Sequence, residues 1–165
     1  MCPTFQALLQ AAFIGVGATA IMDVWHLILK RAGVPVQNFA LLGRWIGHWQ
    51  NGKWFHRSIA KASPVKGEIW MGWLAHYAIG ISFAELLILV CGKGWIYSPT
   101  AWPAMILGLV TVAAPLFIMQ PAMGAGIAST MTDAPLRNSL KSLANHFVFG
   151  IGLYLAAIAW TVMGA

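Results

Sequence analysis

The chain has 165 residues, of which 59% are hydrophobic and only 8% are charged. A soluble globular domain carries about a quarter charged residues, so the composition excludes that class and indicates an integral membrane protein. The net charge is +6, and seven of the ten Lys and Arg residues lie in one segment beside hydrophobic spans. This pattern indicates a loop facing the anionic headgroups of a lipid bilayer and argues against nucleic acid as a partner. The seven residues are Lys30, Arg31, Arg44, Lys53, Arg57, Lys61 and Lys66.

The first predicted span covers residues 5–29, a length that can cross a hydrocarbon core of about 30 Å. It contains Asp23 and, three residues later, His26. The chain has only four acidic residues, and an ionisable side chain inside a membrane helix is costly in free energy. This carboxylate and its neighbouring imidazole therefore predict a functional site.

The next segment, residues 35–66, has no apolar stretch long enough to span a bilayer. Its tryptophans are interleaved with basic and imidazole side chains, which is typical of an amphipathic helix lying in the headgroup layer. We predict a membrane-anchored cytoplasmic connector here. A substrate lid or a surface for a partner protein is the alternative.

Three further spans are predicted over residues 68–91, 101–120 and 139–162. Pro115 lies inside the third span and predicts a kink, because proline removes a backbone hydrogen bond. The predicted fold class is all-α: an integral membrane four-helix bundle, forming a single transmembrane domain over residues 1–165. An interfacial amphipathic helix is predicted in its first cytoplasmic loop.

The basic residues predict how the spans are oriented. Nine of the ten Lys and Arg residues lie in the first loop, in the third loop or at the start of the fourth span, and only Lys93 lies in the second loop. Loops rich in Lys and Arg stay in the cytoplasm, so both termini are predicted to lie on the opposite side. Cys2 and Cys91 fall on that outer side, where disulfides persist. They either form a bridge or remain free thiols.

This orientation places polar side chains from all four spans in one layer of the cytoplasmic half. From the rise of an α-helix, His76 lies roughly 12 Å and His146 roughly 10 Å from the cytoplasmic ends of their spans. Asp23 and His26 share a helix face near the inner end of the first span. The predicted ligand-binding site consists of Asp23, His26, His76 and His146, oriented by Gln120, Ser142 and Asn145.

Three chemistries suit such a site. With the carboxylate, His26, His76 and His146 could bind a divalent transition metal such as Zn, Fe or Cu. Alternatively, His76 and His146 on facing helices could hold haem b by axial ligation. The Asp–His pair could also relay protons or bind the polar head of a solute. No spacing matches an HExxH or ExxH motif, and a purely structural role for each histidine is the remaining alternative.

Glu85 belongs to a different part of the second span. It lies nine residues after His76, which is about half a turn around the helix, so both side chains cannot share a site on a straight helix. A carboxylate on that face indicates contact with a second subunit. The alternatives are that another helix of this chain covers it, or that Glu85 is protonated or extends toward the interface. Because four spans are few for a complete transporter, a homo-oligomer or a larger membrane complex is expected.

Three stretches resemble an uncharacterised family of small bacterial inner-membrane proteins, a domain of unknown function. They are residues 17–23 (GATAIMD), 120–126 (QPAMGAG) and 146–154 (HFVFGIGLY). The resemblance covers nearly the whole chain. It implies a four-span, multi-pass protein of a bacterial inner membrane, in which the predicted orientation makes both termini periplasmic. It implies no activity and no functional residues.

The leading hypothesis is a membrane protein that binds or translocates a small polar solute, a proton or a metal ion through the Asp/His site. A haem- or metal-binding redox protein is the first alternative. A structural accessory subunit of a membrane complex is the second. The sequence does not decide whether the protein is an enzyme.

Overall fold

The computed structural model of the chain describes residues 3–164, with side chains from Gln6 onward. The secondary structure over this range is helical, without strands, which confirms the predicted all-α class. The α-helices of the described range are α1 (Pro3–Arg31), α2 (Phe39–Trp49), α3 (Glu68–Cys91), α4 (Gly94–Tyr97), α5 (Ala101–Thr111), α6 (Gln120–Met123) and α7 (Pro135–Met163).

Within residues 3–164, four stretches of helix are long and apolar enough to cross a membrane, so the chain is a multi-pass membrane protein. They are Gln6–Arg31, Glu68–Cys91, Ala101–Met123 and Pro135–Met163. The third stretch contains α5, a π-helical segment at Pro115–Met119, and α6. Proline has no amide hydrogen to donate to the Thr111 carbonyl, and α5 ends at Thr111. The interruption predicted at Pro115 therefore takes the form of a wider helical turn.

Two compact units make up the chain, and α3 and α7 contribute residues to both. The first unit contains Met1–Pro35, Tyr77–Thr111 and Asn145–Ala165, and the second contains Val36–His76 and Val112–Ala144. The single transmembrane domain predicted over residues 1–165 stays a prediction.

The first unit is a four-helix bundle whose core is supplied by α1, α3, α5 and α7, with α4 packed against them. Its helices approach each other closely at small residues. A Cβ atom at Gly15 would lie 2.5 Å from Cα of Ile81, and one at Gly108 would lie 2.6 Å from the His146 carbonyl oxygen. Such close contacts between backbones are typical of helix packing in membranes.

The second unit is organised around α2, the amphipathic helix that the sequence predicts in the first loop. The side chain of Asn38 caps its start by accepting a hydrogen bond from the Ala40 amide (3.0 Å). Its buried face contacts the beginning of α3, where a Cβ atom at Gly43 would overlap the backbone of Glu68. In the same way, a Cβ atom at Gly72 would overlap the backbone of Phe39. These two glycines allow α2 and α3 to pack backbone against backbone.

Candidate functional site

Asp23 of the predicted site lies in the first unit, where its partner is Tyr77. The phenol of Tyr77, on α3, donates a hydrogen bond to Oδ2 of Asp23 (2.8 Å). Hydrogen bonds to an ionised acceptor are stronger than neutral ones. The half-buried carboxylate is therefore bonded to protein on a second helix. His26, one turn further along α1, is buried with 8% of its surface exposed.

His146, on α7, meets the end of α5. Its Nδ1 atom lies 3.0 Å from Oγ1 of Thr111, and the Thr111 hydroxyl donates to the Gly108 carbonyl (2.8 Å). Because a hydroxyl has one proton, Nδ1 of His146 carries the proton in the bond between the two side chains. The Nε2 atom is then the acceptor of a neutral ring. Thr111 therefore fixes the tautomer and the orientation of this imidazole.

Asn145 precedes His146 and connects α7 to α1. The indole Nε1 of Trp25 donates a hydrogen bond to Oδ1 of Asn145 (3.0 Å). Trp25 lies between Asp23 and His26 in the sequence. The first unit thus contains three of the four predicted ligand-binding residues and one of the three residues predicted to orient them.

The other predicted residues belong to the second unit. Nε2 of Gln120 donates to Oγ of Ser142 (3.3 Å), and Oγ of Ser129 donates to Oε1 of Gln120 (3.0 Å). His76 is buried and packs against two aromatic rings, with centroid distances of 4.3 Å to Phe39 and 5.8 Å to Trp73. The binding roles of these residues stay predictions.

Over residues 3–164, no group of three or more His, Cys, Asp or Glu side chains lies close enough together to hold a metal ion. The metal site predicted from His26, His76 and His146 is therefore not shown. Ligation of haem b by His76 and His146 also stays a prediction.

Two further predictions concern Glu85 and the two cysteines. Glu85 is exposed on α3, on the same side as Leu86 and Leu89, and its predicted contact with a second subunit stays a prediction. Cys91 ends α3, whereas Cys2 lies outside the described residues. The predicted choice between a disulfide and free thiols for these two cysteines stays open.

A second polar cluster, which the sequence did not predict, lies in the second unit. Nδ1 of His48 is 2.7 Å from Nε2 of His56, and Nε2 of His48 is 3.0 Å from the Ser63 carbonyl oxygen. Since a carbonyl only accepts, Nε2 of His48 carries a proton, and in the neutral pair His56 donates to His48. Over the described residues, no group hydrogen-bonds to the buried Nδ1 atom of His56.

These two histidines line a cavity of about 420 Å³, together with Asn51, Lys53, Lys61 and Ser63. None of these side chains is a carboxylate. Burial lowers the pKa of His56, and the charges of His48 and Lys53 lower it further. The cavity is therefore a concave, basic site.

Arg44 hydrogen-bonds the backbone of Ala62, one of the residues that line this cavity. Its guanidinium binds both carboxylate oxygens of Glu68 at 2.8 and 2.9 Å, and this hydrogen bonding raises the pKa of Arg44. The Nη1 atom of Arg44 donates to the carbonyl oxygens of Ile59, Ala60 and Ala62 at 3.1 to 3.4 Å. The carboxylate of Glu68 is thus paired with Arg44, which does not line the cavity.

A family model described as "Protein of unknown function (DUF2938)" matches residues 12–160 of the chain. The chain belongs to the DUF2938 family. This match confirms the family resemblance predicted from the sequence. No match was found among curated proteins or among solved structures.

The region that DUF2938 matches includes residues that sequence reasoning missed, above all Tyr77 and the pair of His48 and His56. One signal could have indicated the pair. Asn51-Gly52 is a strong turn dipeptide, and Gly52 has a φ of 68°. The turn reverses the chain after α2, so that His56 returns to His48. No comparable signal existed for Tyr77.

Proposed function

We propose that this DUF2938 protein moves protons, alone or together with a small polar solute, and that Asp23 is the group that takes up the proton. The proposal includes the predicted orientation in a bacterial inner membrane, with both termini periplasmic, which the distribution of basic residues supports. The observation that carries it is the hydrogen bond between Asp23 and Tyr77. It joins a carboxylate and a hydroxyl on two apolar, membrane-length helices.

The chemistry of this pair supports a functional role over a purely structural one. A charged side chain at the centre of a membrane helix costs roughly 2.5 to 3.5 kcal/mol on insertion scales. Asp23 lies in the C-terminal half of α1 rather than at its centre, so its cost is smaller. A hydrogen bond to a charged group contributes roughly 1.5 to 3 kcal/mol and offsets that cost. Two apolar side chains would join α1 and α3 without any such cost, whereas a carboxylate can also bind and release a proton.

Flux measurements on the purified protein in liposomes test the proposal. A pH-sensitive dye trapped inside the vesicles should report faster decay of an imposed pH gradient with the wild type than with empty vesicles. Asp23→Asn keeps the size of the side chain but cannot ionise, so we expect this flux to fall by about tenfold or more. Tyr77→Phe should give an intermediate loss, because the carboxylate remains but its donor is removed.

Glu85→Gln is the matched control, since it neutralises the exposed carboxylate of another membrane position. It should retain the wild-type flux. Equal flux in wild type and Asp23→Asn would overturn the proposal, as would a wild-type flux no greater than that of empty liposomes.

A further inference from the structure

We propose that the cavity beside His48 and His56 binds a phosphate group, carried either by an anionic lipid headgroup or by a small soluble phosphate compound. This inference concerns the second unit alone. It goes beyond the proposed proton pathway and does not depend on Asp23.

The size and lining of the cavity fit such a ligand. Pockets that hold small molecules have volumes of about 300 to 1,000 Å³, and this cavity of about 420 Å³ lies within that range. Lys53 and Lys61 provide ammonium groups, and Asn51 provides an amide. Lysine binds phosphate as a point charge. A cationic ligand would meet these positive groups with no carboxylate among the lining side chains to balance them.

The basic groups that line the cavity differ in their exposure to solvent. Both lysines are exposed, whereas His48 is buried with 9% of its surface exposed. An anion would therefore meet the exposed ammonium groups first and then the imidazole pair, which hydrogen bonds hold in place. His48 is held by Ser63 and His56, and the backbone amide of His56 donates to the Ala122 carbonyl (2.8 Å). A site that is ordered before binding loses less conformational entropy when the ligand binds.

The positive charge of the cavity is not neutralised by Glu68. Both oxygens of that carboxylate bond Arg44, and Oε2 also accepts from the Val65 amide (2.9 Å). Arg44 and Glu68 therefore compensate each other. The lysines are left to interact with a ligand.

The imidazole pair can also respond to an anion by taking up a proton. In the neutral pair, His56 donates to His48. An added proton is carried at Nδ1 of His56, the one ring nitrogen of the pair that takes no part in these contacts, so both short contacts of His48 are kept. A negative charge in the cavity favours this cationic form. The pair thus adjusts its charge without breaking a hydrogen bond.

An apolar edge beside the cavity residues fits a phosphate that belongs to a lipid. Trp54 and Phe55, which separate Lys53 from His56 in the sequence, are 51% and 79% exposed. Aromatic side chains of this kind are enriched at the level of lipid headgroups. A soluble phosphate compound would use the same basic groups without the aromatic edge, so the test includes both sources.

Binding is measured on the full chain in a maltoside detergent, at constant ionic strength so that screening does not change. Inorganic phosphate is the soluble probe and dioleoyl phosphatidic acid in mixed micelles is the lipid probe, with oleic acid as an anionic lipid that lacks phosphate. We expect saturable binding of at least one phosphate probe and weaker binding of oleic acid. Saturation by inorganic phosphate assigns a soluble ligand, and saturation by phosphatidic acid alone assigns a headgroup.

Paired charge variants separate the cavity from the general charge of the loop. Lys53→Gln with Lys61→Gln should weaken binding about tenfold or more, because two contacts to a charged ligand are lost. Lys30→Gln with Lys66→Gln removes the same charge from residues that do not line the cavity and should change binding less than about twofold. All four lysines are exposed, so both double variants should fold.

Two results would overturn the inference. An equal loss in both double variants would mean that the loop attracts anions without a specific site. The absence of binding by both inorganic phosphate and phosphatidic acid would mean that the cavity does not take a phosphate group.

Discussion

His56 is the residue through which pH should act on the second unit. Burial, together with the charges of His48 and Lys53, lowers its pKa in the folded protein. Between the folded pKa and the unfolded value of about 6.5, the unfolded chain therefore binds more protons. The stability linked to His56 is fully present above the unfolded value and is lost as the pH falls toward the folded one.

We therefore expect the thermal midpoint to fall as the pH is lowered from about 7.5 to about 5.5. His56→Gln keeps a polar side chain but removes this titration, so its midpoint should change less over the same range. Thermal unfolding of both proteins in the same detergent measures the difference. Parallel pH curves would contradict the assignment to His56.

The predictability of the site also differs from residue to residue. Asp23 could be predicted because a carboxylate in an apolar run stands out from the sequence by its cost. Tyr77 could not, since its position opposite Asp23 depends on how α1 and α3 are rotated about their axes. The same holds for Thr111, whose hydroxyl fixes His146. A polar residue in a membrane helix is visible in the sequence, but its partner is decided by packing.

At the scale of elements, the contact of α2 with α3 depends on two glycines. A Cβ atom at Gly43 or Gly72 would overlap the backbone of the opposite helix. Gly43→Ala and Gly72→Ala should each destabilise the second unit by about 1 to 3 kcal/mol, the usual effect of overpacking. Gly94→Ala is the matched control, because no atom lies within 4 Å of the corresponding position.

Two separate measurements, thermal unfolding and limited proteolysis of the first loop, would detect this effect. The two contact variants should unfold at lower temperature and be cleaved faster, whereas Gly94→Ala should match the wild type. Wild-type behaviour of Gly72→Ala would show that the helices separate without loss of stability.

Much of the helical organisation could be predicted from the length of the apolar runs, because a helix that crosses a bilayer needs about 20 such residues. The amphipathic α2 was predictable from its alternation of aromatic and basic residues. The π-helical form of Pro115–Met119 was not, since proline indicates an interruption but does not determine the number of residues in the turn that follows. The cavity was not predictable either, because it depends on how the loop after α2 folds.

At the scale of the whole molecule, Glu85 raises the question of assembly. It lies on a membrane-length helix, is exposed, and is flanked by Leu86 and Leu89, which are 40% and 81% exposed. Since a carboxylate facing lipid is costly, we expect this face to contact a second copy. The protein mass in maltoside micelles should then be at least twice the 17.8 kDa of a single chain.

Cross-linking locates that contact. In a variant without the native cysteines, Leu89→Cys should form disulfide-linked dimers in membranes. Val90→Cys, which is 72% exposed and lies about 140° around the helix from Glu85, serves as the comparison and should cross-link less. A monomeric mass together with equal cross-linking at both positions would count against the assembly.

The guanidinium of Arg44 connects two parts of the second unit that are distant in the sequence. It hydrogen-bonds Glu68, the first residue of α3, and the carbonyl oxygens of Ile59, Ala60 and Ala62, of which Ala62 lines the cavity. A lysine has a single ammonium and could not hydrogen-bond the Glu68 carboxylate and the three carbonyl oxygens at the same time. A small displacement of the first turn of α3 would therefore reach the cavity through one side chain. The hydrogen bonds of Arg44 thus link the start of a membrane-length helix to the loop that follows α2.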